Sequence, residues 1–416
     1  MRPSALFDLS PDEKKKTALL FLFFFLVIAA FWIQKPLRTS RLLVSGGIVS
    51  LPWAKLLSAL AILPAIMIYA CLTRRLRAWS RAALVGVCAG VFALGMAAFA
   101  VIGRGTTAAA FAYFLFVDLF VTVMVALFWS LAHEATPPAQ ARRIYALVGV
   151  GGILGGIAGS AFTGALARTT PPETLLYTAA LLLAPLPVLA WALGPRVERG
   201  DDEGPGLRSA WEGARLIWAS PYLLAIAAVV VLYEMSSNVV DYIFHALALS
   251  AFAEETLLAS FLGRINAVVI GASVVFQLGL TGYVLRRRGP SDGLLVLPAA
   301  FAVGTLMFLA APTLAAAALL FFSDGSLHYS VNQTSKETLY TPEPREVQYE
   351  AKAFIDMFLF RSAKAASALM IAAFNFWLMP RGWPLRSLSF VILFCLLLWM
   401  PAAALAGRRF ARLEKS

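Results

Sequence analysis

Long apolar runs, each of about 20 residues, alternate with short polar connections along the chain. A run of this length crosses the ~30 Å hydrocarbon core of a bilayer as a helix, whereas open strands would leave backbone groups unpaired in lipid. The pattern therefore predicts an all-α integral membrane protein with about twelve transmembrane helices, at 17–36, 51–72, 82–103, 110–132, 143–167, 173–194, 221–247, 256–284, 292–312, 313–332, 353–378 and 386–407.

The longest polar stretch, 195–220, lies between the sixth and seventh runs. It divides the chain into a predicted N-terminal six-helix half, 1–194, and a predicted C-terminal six-helix half, 221–416. Apolar residues recur at helical spacing within this cytoplasmic linker, which predicts an amphipathic helix over 207–219 on the membrane surface. Two halves of six helices are typical of major-facilitator-like transporters, whose halves rock around a site at the midplane.

Composition supports the membrane assignment and charge gives the orientation. The chain is 60% hydrophobic and only 14% charged, which excludes an ordinary soluble domain. Most of its Lys and Arg residues fall in alternate connections, so the positive-inside rule places both termini in the cytoplasm. The net charge of +12 is therefore explained by the cytoplasmic Lys and Arg residues that set the membrane topology. We expect a monomeric, multi-pass protein of a bacterial inner (plasma) membrane that contacts lipids and binds no nucleic acid.

A glycine-rich stretch, 149-GVGGILGGIAGS-160, does not have the G-x-G-x-x-G spacing of a dinucleotide site and lies inside an apolar run. Its glycines form small-xxx-small pairs, which predict close helix packing. The sequence also contains no G-x-x-x-x-G-K-[ST] loop, which argues against the usual ATPase chemistry. No catalytic or metal-binding constellation stands out, so we expect neither an enzyme nor a cofactor or metal site.

Ionisable residues inside the apolar runs cost about 2.5–3.5 kcal/mol each on insertion scales, so each is a functional candidate. The candidates within runs are Lys55, Asp118, Glu234, Asp241, Arg264, Asp324, Asp356, Arg361 and Lys364, with Lys35, Arg38 and Lys352 close to run ends. The candidates include more cations than anions. A central site with such a surplus selects polyanions, because phosphates accept several charge-assisted hydrogen bonds.

Other interpretations of these charges remain open. Lys35, Arg38, Arg41 and Lys55 could extend towards lipid head groups. Lys352 and Asp356 are four residues apart and predict an ion pair, whereas Arg361 and Lys364 are three apart and share a face. Asp118 has no cation within a turn of its own helix, so its partner must come from another helix. Pro36 is expected to break the first helix; if the helix continues past it, Lys35 and Arg38 share a face.

Four segments resemble the ATP/ADP translocases of plastids and intracellular bacteria, also called nucleotide transporters. They are 35–47 with 52–69, 128–152, 219–244 and 336–369. The most specific is the last, in which K-E-x-x-Y-x-P is followed by K-A-x-I-D on the next helix. The resemblance implies a major-facilitator-like fold of twelve helices and exchange of adenine nucleotides without hydrolysis.

The resemblance also implies required charged residues, which correspond here to Lys35, Asp118, Asp241 and Lys352. Two of them are shorter than usual, because the family commonly has Glu where this chain has Asp118 and Asp241. Together with the residue-level argument, this gives a predicted substrate-binding set of Lys35, Arg38, Lys55, Asp118, Asp241, Lys352, Arg361 and Lys364.

Two functions follow from this set. The first is transport of adenine nucleotides, as ATP/ADP exchange, or of a related organic polyanion by alternating access. The second keeps the fold but makes the protein a proton-coupled exporter of another anionic metabolite, with Asp118 or Asp241 as the proton site. In both cases the partner is a small anionic molecule, for which a nucleotide is the first choice.

The predicted orientation can be tested by labelling single cysteines. A cysteine at Asp201 or Asp202, in the linker, should react with an impermeant thiol reagent only from the cytoplasmic side. A cysteine at Glu254 should react only from outside, because an odd number of helices separates the two positions. Labelling of both from the same side would contradict the twelve-helix topology.

Overall fold

The computed structural model describes residues 10–75, 80–102, 106–193, 214–342, 350–352 and 354–413. All regular secondary structure in these ranges is helical, and no strand occurs among the described residues. This confirms the all-α fold class predicted from the apolar runs. Ten of the described helices are long and apolar enough to cross a membrane.

The first part of the chain contains seven helices. They are α1 (Pro11–Gly46), α2 (Ser50–Arg75), α3 (Arg81–Val101), α4 (Thr107–Ala135), α5 (Pro138–Leu166), α6 (Pro172–Leu181) and α7 (Leu186–Ala192). Because α6 and α7 are joined by a tight turn, 172–192 makes a single apolar crossing. The seven helices thus correspond to the first six apolar runs.

The predicted surface helix at 207–219 lies mostly outside the described residues. Only its last part, which we call α8 (residues 214–219), is described and is helical. The two linker positions proposed for cysteine labelling also fall outside the described ranges.

The remaining helices are α9 (Pro221–Ala251), α10 (Glu255–Phe276), α11 (Gly282–Arg287), α12 (Gly289–Ala310), α13 (Leu314–Leu327), α14 (Gln333–Leu339), α15 (Phe360–Ala373) and α16 (Ser389–Leu413). Wider π-helical turns connect or extend several of them, at Gln277–Thr281, His328–Asn332, Ile355–Leu359 and Phe374–Leu378. Short 3₁₀ turns follow at Met379–Arg381 and Leu385–Leu388.

Helix α1 continues through Pro36, so the expected break at this residue is wrong. The helix contains 36 residues and is about 54 Å long at 1.5 Å per residue. Neighbouring helices can satisfy the backbone groups that a proline frees in an apolar setting. The helix ends at Gly46, where Gly47 takes a positive φ of 67°. Since the helix is continuous, Lys35 and Arg38 share one face.

The helix formed by the tenth apolar run, 313–332, extends further than the run predicted. Helix α13 passes through the π turn His328–Asn332 and continues as α14 to Leu339. The predicted run stopped at 332. In the structure His328 lies inside this longer helix, which continues through polar residues because tertiary packing stabilises it.

The glycines of α5 allow it to lie directly against α1. A Cβ atom at Gly151, Gly155 or Gly159 would come within 2.4–2.6 Å of a carbonyl oxygen of α1. Such distances do not occur between real atoms, so only glycine permits this approach. The predicted close packing of the glycine-rich segment is therefore present.

The chain forms two compact units. The first comprises 1–47, 60–202 and 252–268, and the second comprises 48–59, 203–251 and 269–416. The core of the first unit is aromatic, with Tyr113, Phe120 and Phe128 fully buried. The units differ from the predicted halves, 1–194 and 221–416, in two short segments. Residues 48–59 belong to the second unit, and residues 252–268 belong to the first. The division of the chain into those halves stays a prediction.

Replacing Gly155 by Ala should destabilise the protein by about 1–3 kcal/mol, the usual cost of overpacking. The new methyl group would lie 2.4 Å from the Phe25 carbonyl oxygen. The matched control is Gly149→Ala on the same helix, where no atom lies within 4 Å of the new methyl group. Thermal unfolding in detergent measures the difference. Equal unfolding temperatures for the two variants would contradict the close α1–α5 contact.

Candidate substrate-binding site

Arg38 on α1 forms a buried ion pair with Asp118 on α4. Its guanidinium Nη1 donates to the Asp118 carboxylate and, at 3.2 Å, to the Phe114 carbonyl oxygen. The guanidinium carbon lies 4.2 Å from the centroid of the Phe114 ring, a distance that favours a cation–π contact. The side chain of Arg38 is only 8% exposed. The cation that Asp118 required from another helix is therefore Arg38, and Arg38 does not extend towards lipid head groups.

Arg41 and Lys35, which lie close to Arg38 on α1, have different surroundings. Arg41 is buried, and its Nε donates at 3.1 Å to Glu255 in the first turn of α10. Lys35 is half-buried, and its Nζ lies 4.0 Å from the centroid of the Trp32 ring. Sequence reasoning missed Glu255 because it stands just before an apolar run, where carboxylates are common.

The first turns of α10 are also anchored on α5. Ser260 Oγ and Arg264 Nε both donate to the Gly164 carbonyl oxygen, at 2.7 and 2.9 Å. A Cβ atom at Gly263 would lie 2.5 Å from the Gly164 nitrogen. Arg264, a candidate from the sequence, thus contacts a backbone carbonyl exposed by close glycine packing. This contact makes Arg264 part of the helix packing.

In the second unit, Lys55 on α2 pairs with Asp241 on α9. The Lys55 Nζ donates to the Asp241 carboxylate at 2.5 Å and to the Asn238 side-chain oxygen at 3.1 Å. His245 Nδ1 lies 3.3 Å from the same carboxylate. The proposed extension of Lys55 to head groups is therefore wrong, because its ammonium group is held at a carboxylate.

The residues around Asp241 form a polar stripe on an unbroken helix. Glu234, Asn238, Asp241 and His245 follow one another at spacings of four, three and four residues, which places them on one face. Asn238 Nδ2 donates to the Glu234 carboxylate at 2.9 Å. These polar residues thus leave the backbone of α9 regular. Glu234 was among the sequence candidates but was left out of the predicted binding set.

The predicted ion pair between Lys352 and Asp356 is wrong. Lys352 donates to Glu337 instead, and Asp356 accepts at 3.2 Å from Lys336. A π turn begins at Ile355, and each of the two side chains instead meets an oppositely charged side chain of α14, so both charges are paired without contacting each other. Lys336 and Glu337 open the K-E-x-x-Y-x-P motif, which was the signal that could have identified them as charged partners.

Arg361 and Lys364 lie three residues apart on α15 and are both half-buried. The Arg361 Nη1 atom is buried and has no hydrogen-bond partner in the described part of the chain. Lys364 interacts electrostatically with Glu234, but no carboxylate of a described residue lies within 4 Å of either cation. This face of α15 therefore presents positive charge without an ion-pair partner.

The eight predicted binding residues thus fall into two groups. Arg38 and Asp118, Lys55 and Asp241, and Lys352 with Glu337 are matched ion pairs. Arg361 and Lys364 retain donors for an anion, and Lys35 contacts an aromatic ring. Within the described ranges no three His, Cys, Asp or Glu residues cluster as metal ligands would. The expectation that the protein has no metal site stays a prediction.

Solved structures place this helical fold among major-facilitator-like folds. A crystal structure of the nucleoside transporter NupG superimposes with a TM-score of 0.66, over 96% of this chain and 99% of NupG. A bacterial homologue of the iron transporter ferroportin gives 0.63, over 95% and 100%. Both are 12% identical to this chain, so the similarity establishes the fold alone.

Sequence relatives indicate the particular family. Residues 208–324 match the model of the TLC ATP/ADP transporter family. ADP,ATP carrier protein 1 of Chlamydia muridarum is 26% identical over 302 residues, which cover 62% of this chain and 57% of the carrier. Its counterpart in Chlamydia pneumoniae is 22% identical over 344 residues, which cover 72% and 67%. The chain thus spans about 57% of the first relative. The resemblance to the ATP/ADP translocases is confirmed.

Removing one partner of the Arg38–Asp118 pair should destabilise the protein by about 3–5 kcal/mol, because the other charge is left buried and unpaired. Arg38→Gln and Asp118→Asn test this, and the double variant should recover part of the loss. The matched control is Asp292→Asn, which breaks an exposed pair with Arg288 at 4.0 Å worth about 0–1 kcal/mol. Additive losses in the double variant would contradict a direct ion pair.

Proposed function

We propose that this protein is a transporter of a bacterial inner membrane that moves adenine nucleotides, as ATP/ADP exchange, or a related organic polyanion by alternating access. The match to the ATP/ADP transporter family and the names of the chlamydial relatives support the substrate class. The major-facilitator-like fold supports the transport mode. The chain moves its substrate without a chemical step, has no enzymatic activity, and has both termini in the cytoplasm.

The observation that carries this proposal is the unpartnered guanidinium nitrogen of Arg361. A buried donor on a cation costs free energy unless an acceptor meets it. Lys364, one helical turn further on the same face, adds a second positive charge. A phosphate group satisfies both, since it is anionic and accepts several charge-assisted hydrogen bonds in the bidentate geometry that arginine favours.

The matched ion pairs serve a different purpose in this proposal. Arg38 and Lys55 each face a carboxylate, so their charges stabilise the helices that carry them and are not available to a phosphate in this conformation. Lys352 is held by Glu337 in the same way. The residues that receive the phosphates in this proposal are Arg361 and Lys364 of the second unit; the role of Lys35, which belongs to the first unit, stays a separate prediction. Trp32, against which Lys35 packs, offers an aromatic face beside that charge.

A surplus of buried positive charge also favours exchange over net transport. An unpaired cation in an apolar setting costs several kcal/mol, and the empty protein carries this cost through any rearrangement. A bound nucleotide supplies the missing negative charge. The loaded protein therefore changes conformation more readily than the empty one, and each transport step is coupled to the return of another anion.

Counter-loading tests the proposed exchange. Proteoliposomes preloaded with ADP should take up labelled ATP, whereas empty liposomes should take up little, at equal pH inside and outside. The same comparison is then made with an imposed pH gradient. Uptake that is independent of internal ADP but depends on the pH gradient would contradict exchange. It would favour the proton-coupled exporter of another anionic metabolite.

Replacing Arg361 by Gln should weaken nucleotide binding about 10- to 150-fold, which corresponds to about 1.5–3 kcal/mol for hydrogen bonds to a charged group. The loss should be larger for a triphosphate than for a monophosphate, since more charge is left unmatched. Lys364→Gln should show the same preference.

Arg288→Gln is the matched control for Arg361→Gln, because the side chain of Arg288 is 74% exposed. Binding of ATP, ADP and AMP to purified protein measures the series, with membrane expression levels as the check on folding. An equal loss for all three nucleotides, or no loss at Arg361, would contradict its role as a phosphate ligand.

A further inference from the structure

Asp324 is a buried carboxyl group that no cation balances. It lies on α13 and is 6% exposed. Its two oxygens accept hydrogen bonds from the hydroxyl groups of Tyr233, at 3.1 Å, and Ser237, at 2.6 Å. Both donors are neutral. Within the described residues no Lys, Arg or His lies within ion-pair distance of this carboxyl, in contrast to Asp118 and Asp241, which have cation partners.

The charged groups that face Asp324 have the same sign as its ionised form. From α9 these are Glu234 and Asp241, beside the phenol of Tyr233. Its own helix contributes the phenol of Tyr329, and the ring of His328, which stacks on Tyr233, carries a positive charge only when it is protonated. Lys364 on α15 and Lys55 on α2 act on Glu234, and α16 contributes the uncharged ring of Trp399 beside Tyr233. Burial and neighbouring negative charge both favour the neutral form of a carboxyl group.

The local structure suits a group that gains and loses a proton. Hydroxyl groups can reverse a hydrogen bond, so Tyr233 and Ser237 can donate to the carboxylate or accept from the carboxylic acid. The ring of Tyr233 stacks on His328, with centroids 4.3 Å apart and planes within 2°. His328 is the first residue of a π turn, and π turns within helices often occur at functional sites.

We propose that Asp324 is a reversible proton-binding site of this transporter. The assignment moves the proton site away from Asp118 and Asp241, whose carboxylates are matched by Arg38 and Lys55. It deepens the proposed transport function, and its coupling to substrate rests on that function. The link is Lys364, since its charge balances Glu234, which faces Asp324. When a phosphate engages Lys364, negative charge near Asp324 increases, and a proton is taken up.

Infrared spectroscopy of the purified protein tests the site without any substrate. The carbonyl band of a neutral carboxylic acid should be present at neutral pH and disappear reversibly as the pH rises. Asp324→Asn should remove the band, and the control Asp292→Asn, at an exposed position of α12, should keep it. If the Asn variant does not fold, Tyr233→Phe should shift the band because one hydrogen bond is lost.

Three infrared results would overturn the proposal. The first is a band that persists in Asp324→Asn and is lost in Glu234→Gln, which would assign the proton to Glu234. The second is the absence of any such band in the unmodified protein across the pH range. The third is a band that is unchanged in Tyr233→Phe, which would show that the acid is not Asp324.

Proton uptake on substrate binding tests the coupling. At a pH at which the infrared titration shows Asp324 to be ionised, addition of ADP to the protein in weakly buffered detergent solution should raise the pH reported by an indicator dye, and Asp324→Asn should bind ADP without this change. Nucleotide binding with no pH change in the unmodified protein would overturn the coupling. If ADP, ATP and AMP all fail to bind the unmodified protein, the proposed function fails, and the infrared titration still decides whether Asp324 binds a proton.

Discussion

A buried charge in an apolar helix needs a partner, and this requirement organises both units of the protein. Arg38 with Asp118 and Arg41 with Glu255 connect α1 to α4 and to the start of α10. Lys55 with Asp241 connects the start of α2 to α9. Each pair is costly to break because the surviving charge would stay desolvated. The pairs therefore fix which helix faces meet, where apolar packing alone would allow several arrangements.

Close backbone packing complements these ion pairs. The glycines of α5 place its backbone against α1, and at Gly164 the exposed carbonyl oxygen receives two side-chain donors from α10. Lipid offers no hydrophobic driving force between helices, so close van der Waals contact and interhelical hydrogen bonds have to stabilise the assembly. Small residues and buried polar side chains thus both stabilise helix–helix contacts, at different positions along the chain.

Because most of the buried charges described above are paired, the two groups without an oppositely charged partner are candidates for binding a ligand or a proton. Arg361 has a buried donor without an acceptor, and Asp324 has only neutral donors. The first suits an anion and the second suits a proton. Glu234 connects the two sites electrostatically, because it interacts with Lys364 on one side and with Asp324 on the other. An anion and a proton bound by the same unit would then influence each other through charge alone.

The sequence by itself determined the fold class, the approximate positions of the apolar helices and the family resemblance, because apolar length, glycine spacing and local motifs are properties of consecutive residues. It also showed that Asp118 needs a distant cation. Only the tertiary structure decided that this cation is Arg38, that Lys352 meets Glu337, and that Asp324 meets none among the described residues. Such pairings depend on which helix faces touch and on π turns that shift the register. Neither of these can be read from spacing along one helix.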